Sequence, residues 1–99
     1  FLIELQLSLL NQSNKLLTAE LVEEMLAPTG YGLGFQVWKQ DNEISFGHGG
    51  ANAGFRSLIV AHKTAGIGFV VMTNSDNGNE VISEISSLIK KTEKWPGYN

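Results

Sequence analysis

The 99-residue sequence contains no cysteine, only two prolines, and no apolar run near the roughly 20 residues that a membrane-spanning helix needs. The missing cysteines exclude disulfide scaffolds, Cys-ligated zinc, iron–sulfur centres and thiol catalysis together, and they leave the redox compartment open. Charge is also scarce, at 17% of residues against a usual value of roughly 25%. Seven Lys and Arg stand against ten Asp and Glu, a net charge of −3, and no basic cluster is present. This balance argues against nucleic acid as a partner. The two His are not spaced as metal ligands and no acidic residue completes a local cluster, so neither a metal nor another cofactor is expected. What remains is ordinary: 42% apolar residues and 11 glycines, a turn-rich chain with room for one small domain and one core.

The chain opens Phe1-Leu2-Ile3, without Met, charged leader or capping residue. Natural termini are usually polar and frayed, so we expect a fragment cut inside an element. Residues 1–12 are ambiguous by periodicity. Ile3, Leu5, Leu7 and Leu9 alternate as in a strand, but the residue types are helix formers, and a helix is expected. A second helix is better marked, with Thr18 as N-cap, Glu20 in its first turn, and Leu17 and Val22 as a staple across the cap. Leu21, Val22, Met25 and Leu26 form its apolar face and Pro28 is its stop.

From Tyr31 the period becomes two. Tyr31, Leu33, Phe35 and Val37 are predicted to face one way along a single strand, and Gly32, Gly34, Gln36 and Trp38 the other. After a turn at residues 40–42, a short strand places Ile44, Phe46 and His48 on one side, and the small residues 49–54 read as a turn. Residues 55–62 and 67–73 are β-rich and joined by the hairpin 63–66. His62 reads as a cap at a strand edge, Arg56 as the partner of a surface carboxylate, and Trp38 and Trp95 as packing residues. The final helix, from about Asn79 to Lys91, carries Val81, Ile82, Ile85, Leu88 and Ile89, which are predicted to be buried. The fold class expected is α+β, an antiparallel sheet flanked by helices.

Three short strings suggest penicillin-recognising chemistry: Ser87-Leu88-Ile89-Lys90, Ser75-Asp76-Asn77 and Lys63-Thr64-Ala65-Gly66. Their order along the chain is the reverse of the order such enzymes use. Ser87 also sits late in a helix, whereas an acyl-forming Ser belongs at a helix N-terminus, where backbone N–H groups meet the oxyanion. All three are read as accidents.

A longer pattern carries more weight. Tyr31-Gly32-Leu33-Gly34-Phe35, then residues 47–57 with Gly47-His48-Gly49-Gly50, then Val71-Met72-Thr73-Asn74-Ser75 resembles the C-terminal part of the serine beta-lactamase-related family. That family includes class C-type beta-lactamases, D-Ala-D-Ala carboxypeptidases and related esterases. The likeness runs from about Phe1 to Gly78, and the closing helix fits it. It implies that residues 1–99 are the C-terminal portion of one beta-lactamase-like domain, with the nucleophile upstream. His48-Gly49-Gly50 is similar to a His-x-Gly variant of the family's third active-site motif. By that resemblance His48, Gly50 and Ala51 are the candidate catalytic residues. His48 would offer a donor or, when protonated, a cation, and the N–H of Ala51 one half of an oxyanion hole. Gly49 and Asn52 are the candidate substrate contacts. A Gly in place of the Thr hydroxyl at position 49, and His in place of Lys, weaken the case for an anionic beta-lactam and put an esterase or peptidase on equal footing.

The resemblance further implies a small-molecule or peptide substrate and a periplasmic or secreted location. A cut domain also exposes strand edges and apolar surface, which favours self-association. The competing reading is a non-catalytic binding or sensing module that keeps the same sheet.

Overall fold

The computed structural model describes residues 1–13, 15–27 and 30–98. Three helices, α1 (Leu2–Leu9), α2 (Ala19–Leu26) and α3 (Gly78–Thr92), accompany five strands, β1 (Gly30–Tyr31), β2 (Gln36–Gln40), β3 (Glu43–Asn52), β4 (Phe55–His62) and β5 (Gly68–Thr73). The strands form an antiparallel sheet in the order β1-β2-β3-β4-β5. The architecture is the expected α+β one. No helix among the described residues is long and apolar enough to cross a membrane.

The core lies on one face of the sheet, called here the front. Leu5 of α1 and Val22 and Leu26 of α2 pack against Phe35, Val37, Phe46 and Ala61. Phe35 meets Phe46 edge-on at 5.4 Å between ring centroids. The Thr18 hydroxyl accepts the Leu21 N–H at 3.3 Å, so the N-cap read from the sequence is made. Pro28, the expected stop, lies outside the described residues. The back face carries α3, whose Gly78 sits against Thr73 and Arg56, and the segment after it, where buried Trp95 donates from Nε1 to the Ser45 hydroxyl at 3.0 Å.

Four expectations are corrected. Residues 31–38 are not one strand. β1 and β2 pair with each other, Tyr31 opposite Gln36, around a tight loop in which Gly34 takes φ +91° and Leu33 is exposed. Only a residue without Cβ adopts that φ freely, so alternate glycines here mark a reversal, not a bare strand face. The residues 49–52 are not turn but the end of β3, paired through Asn52 opposite Phe55, which leaves only Ala53-Gly54 as the turn. His62 is not an edge cap; it is buried. Finally, the apolar stripe of α3 is largely outside: of the five residues expected in the core only Ile82 is buried, while Val81, Ile85 and Leu88 are exposed. The inward line of the helix runs Gly78, Ile82, Ser86. α3 spans β4 and β5, and among the described residues no strand lies beyond β5, so the flank on that side has no sheet beneath it.

Candidate functional site

The antiparallel ladder positions the His48-Gly49-Gly50 segment. β2 pairs with β3 only as far as Gln36 opposite Gly47, because the chain reverses at Gly34. Among the described residues nothing pairs residues 48–52 on that side. A bond at the other end of β3 sets the direction of each group: the Lys63 N–H donates to the Ile44 carbonyl at 2.8 Å. Alternation from there turns the N–H and C=O of His48, Gly50 and Asn52 toward β4 and those of Gly49 and Ala51 toward the open edge. Side chains alternate as well. His48 and Gly50 share the front face with Phe46, and Gly49 and Ala51 lie on the back with Ser45.

His48 is exposed, with Nδ1 at 2.5 Å from the Gly49 carbonyl oxygen, so Nδ1 carries the proton in that contact. One glycine beside it is sterically required. A Cβ on Gly47 would collide with the Ile59 carbonyl of β4, whereas one on Gly50 would meet only the Ser57 hydroxyl, which a rotation of that side chain moves away. The end of the strand is tied down by a clamp. The Asp76 carboxylate accepts the Gly54 N–H at 2.7 Å and faces the Arg56 guanidinium at 3.6 Å. Arg56 Nη1 also donates to the Asn52 carbonyl at 2.7 Å. Arg56 thus has the surface carboxylate expected for it. Asp76 joins the β3–β4 turn to the turn before α3, a link across 22 residues that local pattern does not reveal. The sheet therefore places all five predicted site residues, His48, Gly49, Gly50, Ala51 and Asn52, on one strand end but divides their side chains between two faces.

Ser57 stands opposite Gly50, whereas Ser75 lies in the turn before α3 and Ser87 on the outer part of α3. Ser87 and Lys90 border a groove on the back face with Gly49 and Ser86, away from the front face that carries His48.

The second histidine is structural. His62 Nδ1 accepts the N–H groups of Thr64 and Ala65 at 3.1 and 2.9 Å, which assigns the ring proton to Nε2. Nε2 donates to Glu43 at 2.9 Å, and Trp95 meets the ring edge-on. Gln6 of α1 donates to the carbonyls of His62 and Ile67 at 2.9 and 3.0 Å. No group of three or more His, Cys, Asp or Glu that could hold a metal ion occurs among the described residues.

The Beta-lactamase family model matches residues 3–93. No curated protein and no solved structure matches the chain.

Proposed function

Because the chain belongs to the Beta-lactamase family, we propose that it is the C-terminal part of a serine hydrolase acting through an acyl-enzyme on beta-lactam, D-Ala peptide or ester substrates. The observation that carries the reading is the open edge of β3 at residues 48–52. An extended acyl group can lie along this edge, where the bare backbone of Gly49 and Gly50 admits it. The outward N–H of Ala51 is then available to a substrate carbonyl as negative charge develops on its oxygen. His48 stands beside the same edge as a donor, or as a cation when protonated, toward the substrate and an attacking hydroxyl. Asn52 closes the edge as a substrate contact.

A serine activated by a neighbouring base, and a second N–H converging with that of Ala51, complete such a reaction. Ser87 and Lys90 do not supply them, since they sit late in α3. The nucleophile and its base then belong to polypeptide upstream of residue 1, and the isolated chain is catalytically silent. A class C-type enzyme, a carboxypeptidase and an esterase remain equal candidates, since Gly49 removes the hydroxyl and His48 the permanent charge that would favour an anionic substrate.

Intact-mass measurement after incubation with a labelled penicillin or a fluorophosphonate tests this reading. The 99-residue chain is expected to gain no adduct; stoichiometric labelling at Ser57, Ser75 or Ser87 overturns it. In the longer protein, His48→Ala is expected to lower kcat/KM at least tenfold while leaving the circular dichroism spectrum unchanged. An unaltered kcat/KM would return the segment to the alternative, a binding module with a hydrolase-like sheet.

A further inference from the structure

Among the described residues the sheet has two hairpin turns of two residues, and their backbones differ. At the β2–β3 reversal Asp41 and Asn42 both take positive φ, 51° and 66°. That is the type I′ pattern, whose twist matches the strands it joins. At the β3–β4 reversal Gly54 takes φ +80° while Ala53 keeps a negative φ. A positive φ at the second residue alone is the type II pattern, and a type II turn in a two-residue loop splays the strands that leave it. The strand end exposed to that effect is Ala51-Asn52. Ala51 is paired with Arg56 of β4 and, among the described residues, with nothing on its outer side.

An external hold supplies what this turn does not. Its members come from the end of β5 and the turn before α3. The Asp76 carboxylate accepts the Gly54 N–H at 2.7 Å, a bond of the stronger, charge-assisted kind. The same oxygen lies 3.6 Å from Arg56 Nη1. That nitrogen donates to the carbonyls of Asn52 and Phe55 at 2.7 and 2.8 Å, the two residues that close the hairpin. The Thr73 hydroxyl donates to the Arg56 carbonyl at 3.2 Å. Asp76 is fixed in turn by its neighbours: the Ser75 hydroxyl accepts the Asn77 N–H at 3.1 Å, and the Ser75 carbonyl accepts the Gly78 N–H at 3.2 Å. The string Ser75-Asp76-Asn77, out of order as a penicillin-recognising motif, is thus a turn that aims a carboxylate at Gly54.

We propose that Asp76 is a positioning residue for acyl transfer: through the Gly54 N–H it sets the twist of the β3–β4 hairpin, and so the direction of the outward Ala51 N–H. This role rests on the hydrolase reading, because only a substrate oxygen gives the direction of that N–H a consequence. A donor to an oxyanion acts over a narrow range, roughly 2.7–3.1 Å, and a misplacement of about 1 Å can cost on the order of 100-fold in rate. Stability responds far less. The Asp76 side chain is 68% exposed, and exposed ion pairs contribute little to folding. Rate and fold are therefore separable by substitution.

Steady-state kinetics of the longer protein on a p-nitrophenyl ester and on a penicillin tests the assignment. Asp76→Ala removes the acceptor and is expected to lower kcat by about tenfold to 100-fold on whichever probe is turned over. KM and the melting temperature should stay close to those of the unaltered protein. Asp76→Asn keeps a carbonyl oxygen for the Gly54 N–H and is expected to recover most of kcat. In the 99-residue chain, the Gly54 amide should exchange quickly in Asp76→Ala and slowly in Asp76→Asn. A kcat untouched by Asp76→Ala overturns the proposal, and so does a loss confined to KM. An equal loss in both variants also overturns it, since the effect would then come from the charge and not from the hydrogen bond. So does an Asp76→Ala protein that unfolds, because the contact would then serve the fold. A longer protein that turns over neither probe fails the hydrolase reading and the role of Asp76 with it, whereas an active protein indifferent to Asp76 fails the assignment alone.

Discussion

At the residue scale, His48 and His62 have the same side chain and opposite situations. His48 could be picked out from its neighbours, because glycines at 47, 49 and 50 leave the backbone around it bare. His62 could not. Its partners are the amides of the following turn and Glu43 on another strand, and neither has a local signature. Replacing it has a definite expected cost. His62→Leu keeps the bulk but removes the acceptor of the Thr64 and Ala65 N–H groups and the donor to Glu43, three hydrogen bonds worth about 0.5–1.5 kcal/mol each. Urea denaturation should show at least about 2 kcal/mol of lost stability; a change under about 0.5 kcal/mol would mean that the clamp is idle.

At the element scale, α3 shows how far an amphipathic pattern can be trusted. Its limits, Gly78–Thr92, lie within a residue of those read from the pattern, because the polar turn before it and the lysines at its end are local signals. The choice of buried flank is not local. Ile82 and Ser86 face the sheet at 6% and 9% exposure, while the more apolar flank overhangs β5. Two substitutions separate the faces. Ile82→Ala should cost about 2–5 kcal/mol as a truncation in packed surroundings. Ser86→Ala should be neutral or stabilising, because the Ser86 hydroxyl is buried without a hydrogen-bond partner and its removal ends a desolvation cost. If Ser86→Ala destabilises by more than about 1 kcal/mol, the hydroxyl has a partner after all.

At the scale of the whole molecule, besides the short outer edge of β1, two stretches of the sheet have no strand partner among the described residues, the end of β3 and the outer edge of β5. Hydrogen exchange should report both. The amides of His48, Gly50 and Asn52 point at β4 and are expected to exchange slowly, whereas those of Gly49 and Ala51, on the same strand, should exchange quickly. Val70 and Met72, whose amides point away from β4, should exchange quickly in the 99-residue chain. Uniform protection along residues 48–52 would mean that the edge is covered.

What the sequence by itself determined is what depends on neighbours a few residues apart. It set the cap at Thr18, the β-rich runs of β4 and β5, the span of α3 and the α+β class. Dihedral preference, side-chain period and capping chemistry act over that range, and those readings survived. The tertiary structure alone decided where β2 ends against β3, and hence that Gly49 and Ala51 face an open edge. It also decided that His62 is interior, that Asp76 clamps the β3–β4 turn, and which flank of α3 meets the sheet. These outcomes follow from strand order and register, which join residues far apart in the chain. An amphipathic period states that a side is apolar, but whether a strand lies beneath that side depends on how far the sheet extends.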